Sequence, residues 1–269
     1  MLERPEEYEI MATAEANHWW YRALHELCLR AVKKWQNDKN IKILDAGCGT
    51  GGLMMYLTNH GYKNIVGFDL SDIAVAKCIV QELNVWQQDI RTIPSAALKT
   101  EFDAIICNDI LCYLSERELT DFFQNCFSLL CQKGIIIINV PALAVFSGTH
   151  DLAVGIKQRF SRSDYKKYID SDQYEILTSR YWPFFLAPII YTTRLLQRIK
   201  LRFFKFKKIE SDIKIPSEII NYFLLKICKF EIKYLAQKAP FGSSLFLIIQ
   251  KRDISAVCTI SQNCNIDPH

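Results

Sequence analysis

Between Ile41 and Val140 the chain alternates short apolar, β-branched runs with longer stretches whose apolar residues recur three and four positions apart. IKILDA, NIVGFDL, NVWQQ, FDAIICN and GIIIINV read as strands, and GLMMYLTNH, SDIAVAKCIVQEL and SERELTDFFQNCFSLLCQ read as the helices between them. Ser71 stands where its hydroxyl can cap the first turn of its helix. Strands that are apolar on both faces and separated by helices predict an α/β fold with a doubly wound, parallel sheet and right-handed crossovers.

The flanks follow other patterns. AEANHWWYRALHELCLRAVKKW has the periodicity of one amphipathic helix, and SSLFLIIQK is a further strand. A strand that arrives after a long insertion suits an antiparallel edge hairpin added to the parallel sheet. The expected organisation is a helical lid over residues 1–36, a ligand-binding core over 37–141, and a substrate-side loop with cap helices over 142–242. An edge strand over 243–252 then completes the core sheet, and a polar, loose tail covers 253–269.

With 269 residues, half of them hydrophobic, the chain can bury a full core. A formal charge of +4 is far from the basic balance of a protein that lives on nucleic acid. The ten cysteines are scattered and include no CxxC pair, which fits small buried thiols in a reducing cytosol. His18, His25, His60, His150 and His269 form no HxxxH or HExxH pattern, so no metal site is expected. MLERPEEYEI is acidic and has no apolar segment of the secretory kind. The longest uncharged apolar stretch, Tyr181 to Thr193, falls short of the roughly 20 residues that cross a bilayer. A cytoplasmic protein is expected.

Candidate chemistry starts where the first strand runs into glycines. Gly47, Gly49 and Gly52 spell GxGxxG, while Gly47, Gly49 and Gly51 spell GxGxG, so spacing alone does not identify the ligand. Asp69, about 20 residues on at the end of the second strand, fits a ribose diol under either reading. Asp45 separates the two. It stands two residues before Gly47, where a dinucleotide would bring its diphosphate, and a carboxylate there repels phosphate. The same carboxylate favours the sulfonium and ammonium of S-adenosylmethionine. Asp89, after the third strand, stands on the rim of the same crevice. It can accept from an adenine amino group while Ile90 packs on the ring. Asn108 and Asp109 follow the fourth strand, under the methionine end.

Asp45 to Gly51, Asp69, Asp89 and Asn108 to Leu114 together resemble the successive motifs of class I S-adenosylmethionine-dependent methyltransferases. The resemblance implies a seven-stranded, Rossmann-like sheet whose last strand pair is antiparallel, with an N-terminal helix and a helical cap insertion. It assigns cofactor contacts to Asp45, Ala46, Gly47, Cys48, Gly49, Gly51, Asp69, Leu70, Asp89, Ile90 and Asn108. HWWYRALHEL, the segment after the fifth strand and APFGSSLFLIIQK are similar to a bacterial subgroup often met beside polysaccharide or natural-product synthesis genes. In that subgroup a Ser, a His-Asp pair and then a basic residue with Tyr follow the fifth strand. Here these are Ser147, His150-Asp151 and Arg159-Phe160, so the tyrosine hydroxyl is missing. The acceptor implied is a small molecule, most readily an oxygen of a sugar or related intermediate, with a lipid-linked form among the options.

If the acceptor is a hydroxyl, a base must take its proton, and His150 oriented by Asp151 is the expected base. A histidine that ties the loop to the core is the alternative. Arg159 reads as a clamp for an acceptor anion or as half of an internal ion pair. His18, Trp19 and Trp20 read as a helix face docked on the sheet or, with Tyr113, as an aromatic lid over the ligand. From Arg194 to Lys208 seven basic residues and no acidic one are interleaved with Leu, Ile and Phe. Residues 181–208 therefore read either as a peripheral contact with the inner face of an anionic membrane or as a cap helix on the core. Nucleic-acid methylation is disfavoured because Asn108-Asp109-Ile110-Leu111 lacks an Asn/Asp-Pro-Pro-aromatic motif. A non-catalytic cofactor-binding module remains open, and oligomeric state is not legible.

Overall fold

The computed structural model describes residues 5–36, 38–93, 101–203, 215–235 and 239–253. Most of the proposed tail, and residues 204–208 of the cationic stretch, lie outside them. Two helices, α1 (Pro5–Asn17) and α2 (Trp19–Trp35), precede the core. The core runs β1 (Ile43–Ala46), α3 (Gly52–Asn59), β2 (Ile65–Asp69), α4 (Asp72–Val80), β3 (Val85–Gln87), β4 (Phe102–Asn108), α5 (Glu116–Leu129) and β5 (Leu130–Pro141). There follow α6 (Thr149–Val154), β6 (Tyr174–Trp182), α7 (Ala187–Phe203), α8 (Glu218–Tyr234) and β7 (Ser244–Lys251).

The seven strands form one sheet in the order β3-β2-β1-β4-β5-β7-β6. The first five are parallel, and β7 is antiparallel to both β5 and β6. This is the class I methyltransferase architecture expected above, with two corrections. The expected edge strand, β7, lies inside the sheet with neighbours on both sides, and the edge is β6. β6 arises within residues 142–242, so that segment supplies part of the sheet as well as loops and cap helices. Its sequence, YEILTSRYW, is too polar to read as a strand alone and is held by pairing along its length with β7.

Both faces of the sheet are buried. Phe122, Phe123 and Phe127 of α5 meet Tyr165 and Tyr174 on one face. Leu24, Cys28 and Val32 of α2 pack with Leu57 of α3 and Leu225 and Ile232 of α8 on the other. The single N-terminal helix expected from periodicity is two, broken at His18, whose Nδ1 caps α2 by accepting from Trp20 N at 3.2 Å. Asn221 of α8 bridges the break. It donates to Asn17 O at 2.8 Å and accepts from Trp19 N at 2.8 Å.

Because β1 pairs with both β2 and β4, the chain reverses direction across the sheet there, and a crevice opens at the carboxyl ends of these strands. One buried polar chain braces it. Trp182 Nε1 donates to Asn139 Oδ1 at 2.8 Å, and Asn139 Nδ2 donates to both carboxylate oxygens of Asp109 at 3.0 Å. Trp182→Phe keeps an aromatic ring but deletes the first donor and part of a buried side chain, leaving a buried acceptor unmet. Urea denaturation is expected to show a loss of about 1–3 kcal/mol; an unchanged midpoint would mean the brace contributes nothing.

Candidate functional site

A cavity of about 930 Å³ opens at this crevice. Its floor is the turn from β1 to α3. Gly47, Gly49 and Gly51 all have positive φ, at 82°, 55° and 85°. At Gly47 the reason is twofold, since φ lies in the left-handed region and a Cβ would come within 2.6 Å of Ile110 Cγ1. Gly51 starts α3 in a left-handed conformation and faces Leu83 and Cys78, so its part is to shape the turn. Like Ala46, which is buried in the core, it does not line the cavity; both were expected to contact the ligand. Gly47, Cys48, Gly49 and Leu70 do line it.

Five carboxylates border the cavity, and beside Asp89 four of them, Glu15, Asp45, Asp69 and Asp109, form a set of their own. None of these four takes part in an ion pair among the described residues. Asp45 is 3% exposed, and burial, with Glu15 and Asp69 nearby, pushes it up to about 8. Burial likewise pushes Glu15 up to about 7, against hydrogen bonds from Thr50 and Gly52, and Asp109 up to about 7, against one from Asn139. Asp69 is also raised by burial. Its oxygens accept from Gly49 N at 3.0 Å and Ser71 N at 2.9 Å, so it clamps the glycine turn as well as facing the cavity.

Glu15 is the residue that sequence reading missed. It lies on α1, and its Oε2 accepts from Gly52 N at 2.9 Å and Thr50 Oγ1 at 2.6 Å. It thereby occupies the amino end of α3, the place where a dinucleotide fold holds phosphate. Only the tertiary docking of α1 reveals this, and no local pattern around Glu15 announces it. Asn139 did leave a signal, as a lone amide in the apolar run IIIINV of a strand buried on both faces.

Other expected contacts are revised. Asp89 lines the cavity, but both its oxygens accept from Arg91 Nε, at 2.9 and 2.8 Å, and Oδ1 also caps the Ile90–Thr92 turn. The guanidinium lowers its pKa and already engages both carboxylate oxygens. Ile90 remains as buried apolar wall. Asp151 and Arg159 form a bidentate pair, with Nε to Oδ2 at 2.6 Å and Nη2 to Oδ1 at 2.7 Å. Arg159 Nη1 also donates to Ala142 O at 2.9 Å. Asp151 therefore orients Arg159, and Arg159 stitches α6 to the end of β5 and is not a free anion clamp. His150, Arg159, Asn108 and Tyr113 border the cavity, as do His18, Trp19 and Trp20. Burial lowers His18 to about 4, so its ring is neutral and its Nδ1 can accept as a cap. Trp20 stacks on Trp182 with centroids 5.6 Å apart. The docked-helix reading accounts for these contacts, and the same residues line the cavity.

Residues 43–134 match the family model described as a methyltransferase domain. A methyltransferase-named protein of Geobacillus sp. (strain WCH70) is 29% identical over 128 residues, 45% of this chain and 50% of that protein. Phosphoethanolamine N-methyltransferase of Plasmodium falciparum (isolate 3D7) is 27% identical over 163 residues, 56% of this chain and 54% of that one. The chain thus spans about half the length of these relatives. Among solved structures, an S-adenosylmethionine-dependent methyltransferase from Archaeoglobus fulgidus superposes with a TM-score of 0.53 at 17% identity. The match covers 85% of this chain and 94% of that one. The magnesium protoporphyrin IX methyltransferase of Synechocystis PCC 6803 with bound S-adenosylhomocysteine gives 0.51 at 14% identity over 86% and 84% of the two chains. These structural likenesses establish the fold.

Buried carboxylates with raised pKa bind more protons in the folded than in the unfolded chain. Their contribution to stability is therefore full below about pH 4 and is lost as pH rises through about 7 to 8. The melting temperature of the ligand-free chain is expected to fall between about pH 5.5 and 8.5. Asp45→Asn should flatten that fall and stabilise the chain at the upper pH by at least about 1 kcal/mol. Destabilisation of the variant at high pH would mean that the Asp45 charge is compensated.

Proposed function

We propose that this chain is an S-adenosylmethionine-dependent methyltransferase acting on a hydroxyl of a small molecule, of the size of a sugar or related biosynthetic intermediate. The observation that carries the reading is the set of four carboxylates at the crevice, three buried and Asp109 half-buried, with no ion-pair partner among the described residues. Such a wall is relieved by a ligand with separated positive charges and opposed to one with a diphosphate. The methyltransferase-domain match over residues 43–134 supports the same conclusion.

The donor set fits the cofactor. Asp45 would face its cationic end, Asp69 its ribose hydroxyls and Ile90 its base, with Gly47 and Gly49 allowing close approach of the main chain. When bound, S-adenosylmethionine supplies a methyl group on a sulfonium that leaves as a neutral thioether. The chain's own task is to hold an acceptor oxygen in line within roughly 3 Å, keep water out and accept one proton. Tyr113, Trp19 and Trp20 provide the water-excluding walls.

Asp109 is suited to the proton. It borders the cavity, a pKa of about 7 matches a base working near neutrality, and Asn139 fixes its carboxylate. The acceptor hydroxyl gives its proton to an Asp109 oxygen as the carbon–oxygen bond forms. His150, on α6, serves as a wall of the acceptor end and remains the second candidate base.

Titration calorimetry is expected to show binding of S-adenosylmethionine and S-adenosylhomocysteine but not NAD. S-adenosylmethionine affinity should rise between about pH 6 and 8.5, because the cation is favoured as Glu15 and Asp45 ionise. Tight NAD binding without response to S-adenosylmethionine would overturn the assignment.

With a panel of sugar acceptors, release of S-adenosylhomocysteine reads turnover. Asp109→Asn should lower kcat by on the order of 100-fold, well beyond any loss of cofactor affinity. If His150→Ala shows that pattern instead, the base is His150. Cofactor binding with no turnover on any acceptor would favour a binding module.

A further inference from the structure

α7 and α8 carry more exposed apolar surface than any other part of the described chain. On α7 only Ala187 is buried, while Ile189, Leu196, Ile199 and Phe203 are exposed. α8 is apolar on two sides. Leu225, Cys228 and Ile232 face the core, and Ile219, Phe223, Ile227, Phe230 and Tyr234 form a second stripe that is exposed, Phe223 to 60%. A helix apolar all round is ordinarily buried on both sides. Phe185, two residues before α7, and Phe230 of α8 lie with ring centroids 6.2 Å apart, so the start of α7 stands beside α8.

The charges select the kind of partner. Arg194, Arg198 and Arg202 recur four apart along α7, which has no acidic residue. On α8, Lys226 and Lys233 lie over the rings of Tyr222 and Tyr234, at 5.2 and 4.9 Å, and Arg198 lies 6.0 Å from Tyr191. The buried acid of α8, Glu231, is turned inward, where Oε2 accepts from Phe184 N at 2.7 Å and Phe185 N at 3.1 Å. Exposed isoleucine, phenylalanine and tyrosine interleaved with arginine and lysine form a surface that a second copy, carrying the same positive charge, would meet with repulsion. Anionic headgroups over acyl chains match both halves of it. No helix among the described residues is long and apolar enough to cross a bilayer, so the fit is to its surface.

We propose that the α7–α8 face is a docking surface for an anionic lipid membrane. The docking stands apart from the methyl-transfer reading. α7 also walls the cavity through Ile189, Ile190 and Thr193, so the cavity is held beside the lipid headgroups. If the chain transfers methyl groups as proposed above, the acceptor is an amphiphile that enters past α7.

The test is flotation of the full chain, without cofactor, with vesicles of phosphatidylcholine alone or mixed with phosphatidylglycerol, at low and high salt. Binding is expected only with the anionic lipid and is expected to weaken as salt rises. Ile199→Glu with Phe223→Glu should abolish it, and Arg198→Glu with Arg202→Glu should weaken it by on the order of 100-fold. Circular dichroism melts check that both variants remain folded; Ile199, Arg202 and Phe223 are exposed and Arg198 is half-buried. Failure of the unaltered chain to float with anionic vesicles overturns the proposal. So does sedimentation showing a dimer that the same variants dissolve. Cofactor calorimetry, run separately, reports on the methyl-transfer reading alone.

Discussion

The site depends on buried negative charge that the folded chain leaves without an ion pair. Glu15, Asp45, Asp69 and Asp109 come from α1, β1, β2 and the end of β4, and the sheet order places these elements around one crevice. Desolvation raises the pKa of each, so each works against folding once ionised. A fold tolerates such a cluster where a ligand supplies the missing positive charge, and perturbed groups facing a cavity are the physical signature of such a place.

Neutral hydrogen bonds, more than ion pairs, hold this cluster in position. Asp69 is fixed by Gly49 N and Ser71 N, and Glu15 by Gly52 N and Thr50 Oγ1. Asp109 is fixed through Asn139, which reaches Trp182 at the far end of the sheet. Asp109 also has φ of 58°, a conformation costing roughly 1 kcal/mol or more outside glycine. Its main-chain N–H donates to Asn139 O at 2.7 Å, so the same residue that aims the carboxylate also holds the turn. Amides orient a carboxylate without neutralising it, and so the charge remains available to a ligand.

Much of this was legible from the chain alone, for a physical reason. β1, β2, β4 and β5 are buried on both faces, and such strands must be written as apolar runs. The glycine turn was legible because positive φ restricts residue choice, and Asp45 because its charge changes which ligand can approach. What escaped lies where long-range packing decides. β6 is a strand because β7 is beside it, and α5 gives way to β5 at Leu130, three residues before its helical pattern ends. The break at His18 is held by Asn221, about 200 residues away. Asp151 pairs with Arg159 and Asp89 with Arg91, pairings in which either carboxylate could have found another partner. Local sequence states that a carboxylate is present; only the assembled fold states whether a cation already holds it.

Glu15 shows how the two ends of the crevice reinforce one ligand choice. The amino end of α3 offers unsatisfied N–H groups, and in a dinucleotide-binding fold these meet phosphate. Here α1 brings a carboxylate to them, so the chain satisfies that anion site itself. Asp45 then repels any phosphate that still approaches. The two features lie on separate segments and act by different means, one by occupancy and one by repulsion, yet both turn away the same class of ligand. Their joint effect depends on α1 remaining docked, and the contacts that dock it include Glu15 itself, the Glu9–Lys77 pair with α4 and the Asn221 bridge to α8. The helix that covers the crevice is therefore also part of its electrostatics, and ligand selection is built into the docking of α1 as much as into the glycine turn.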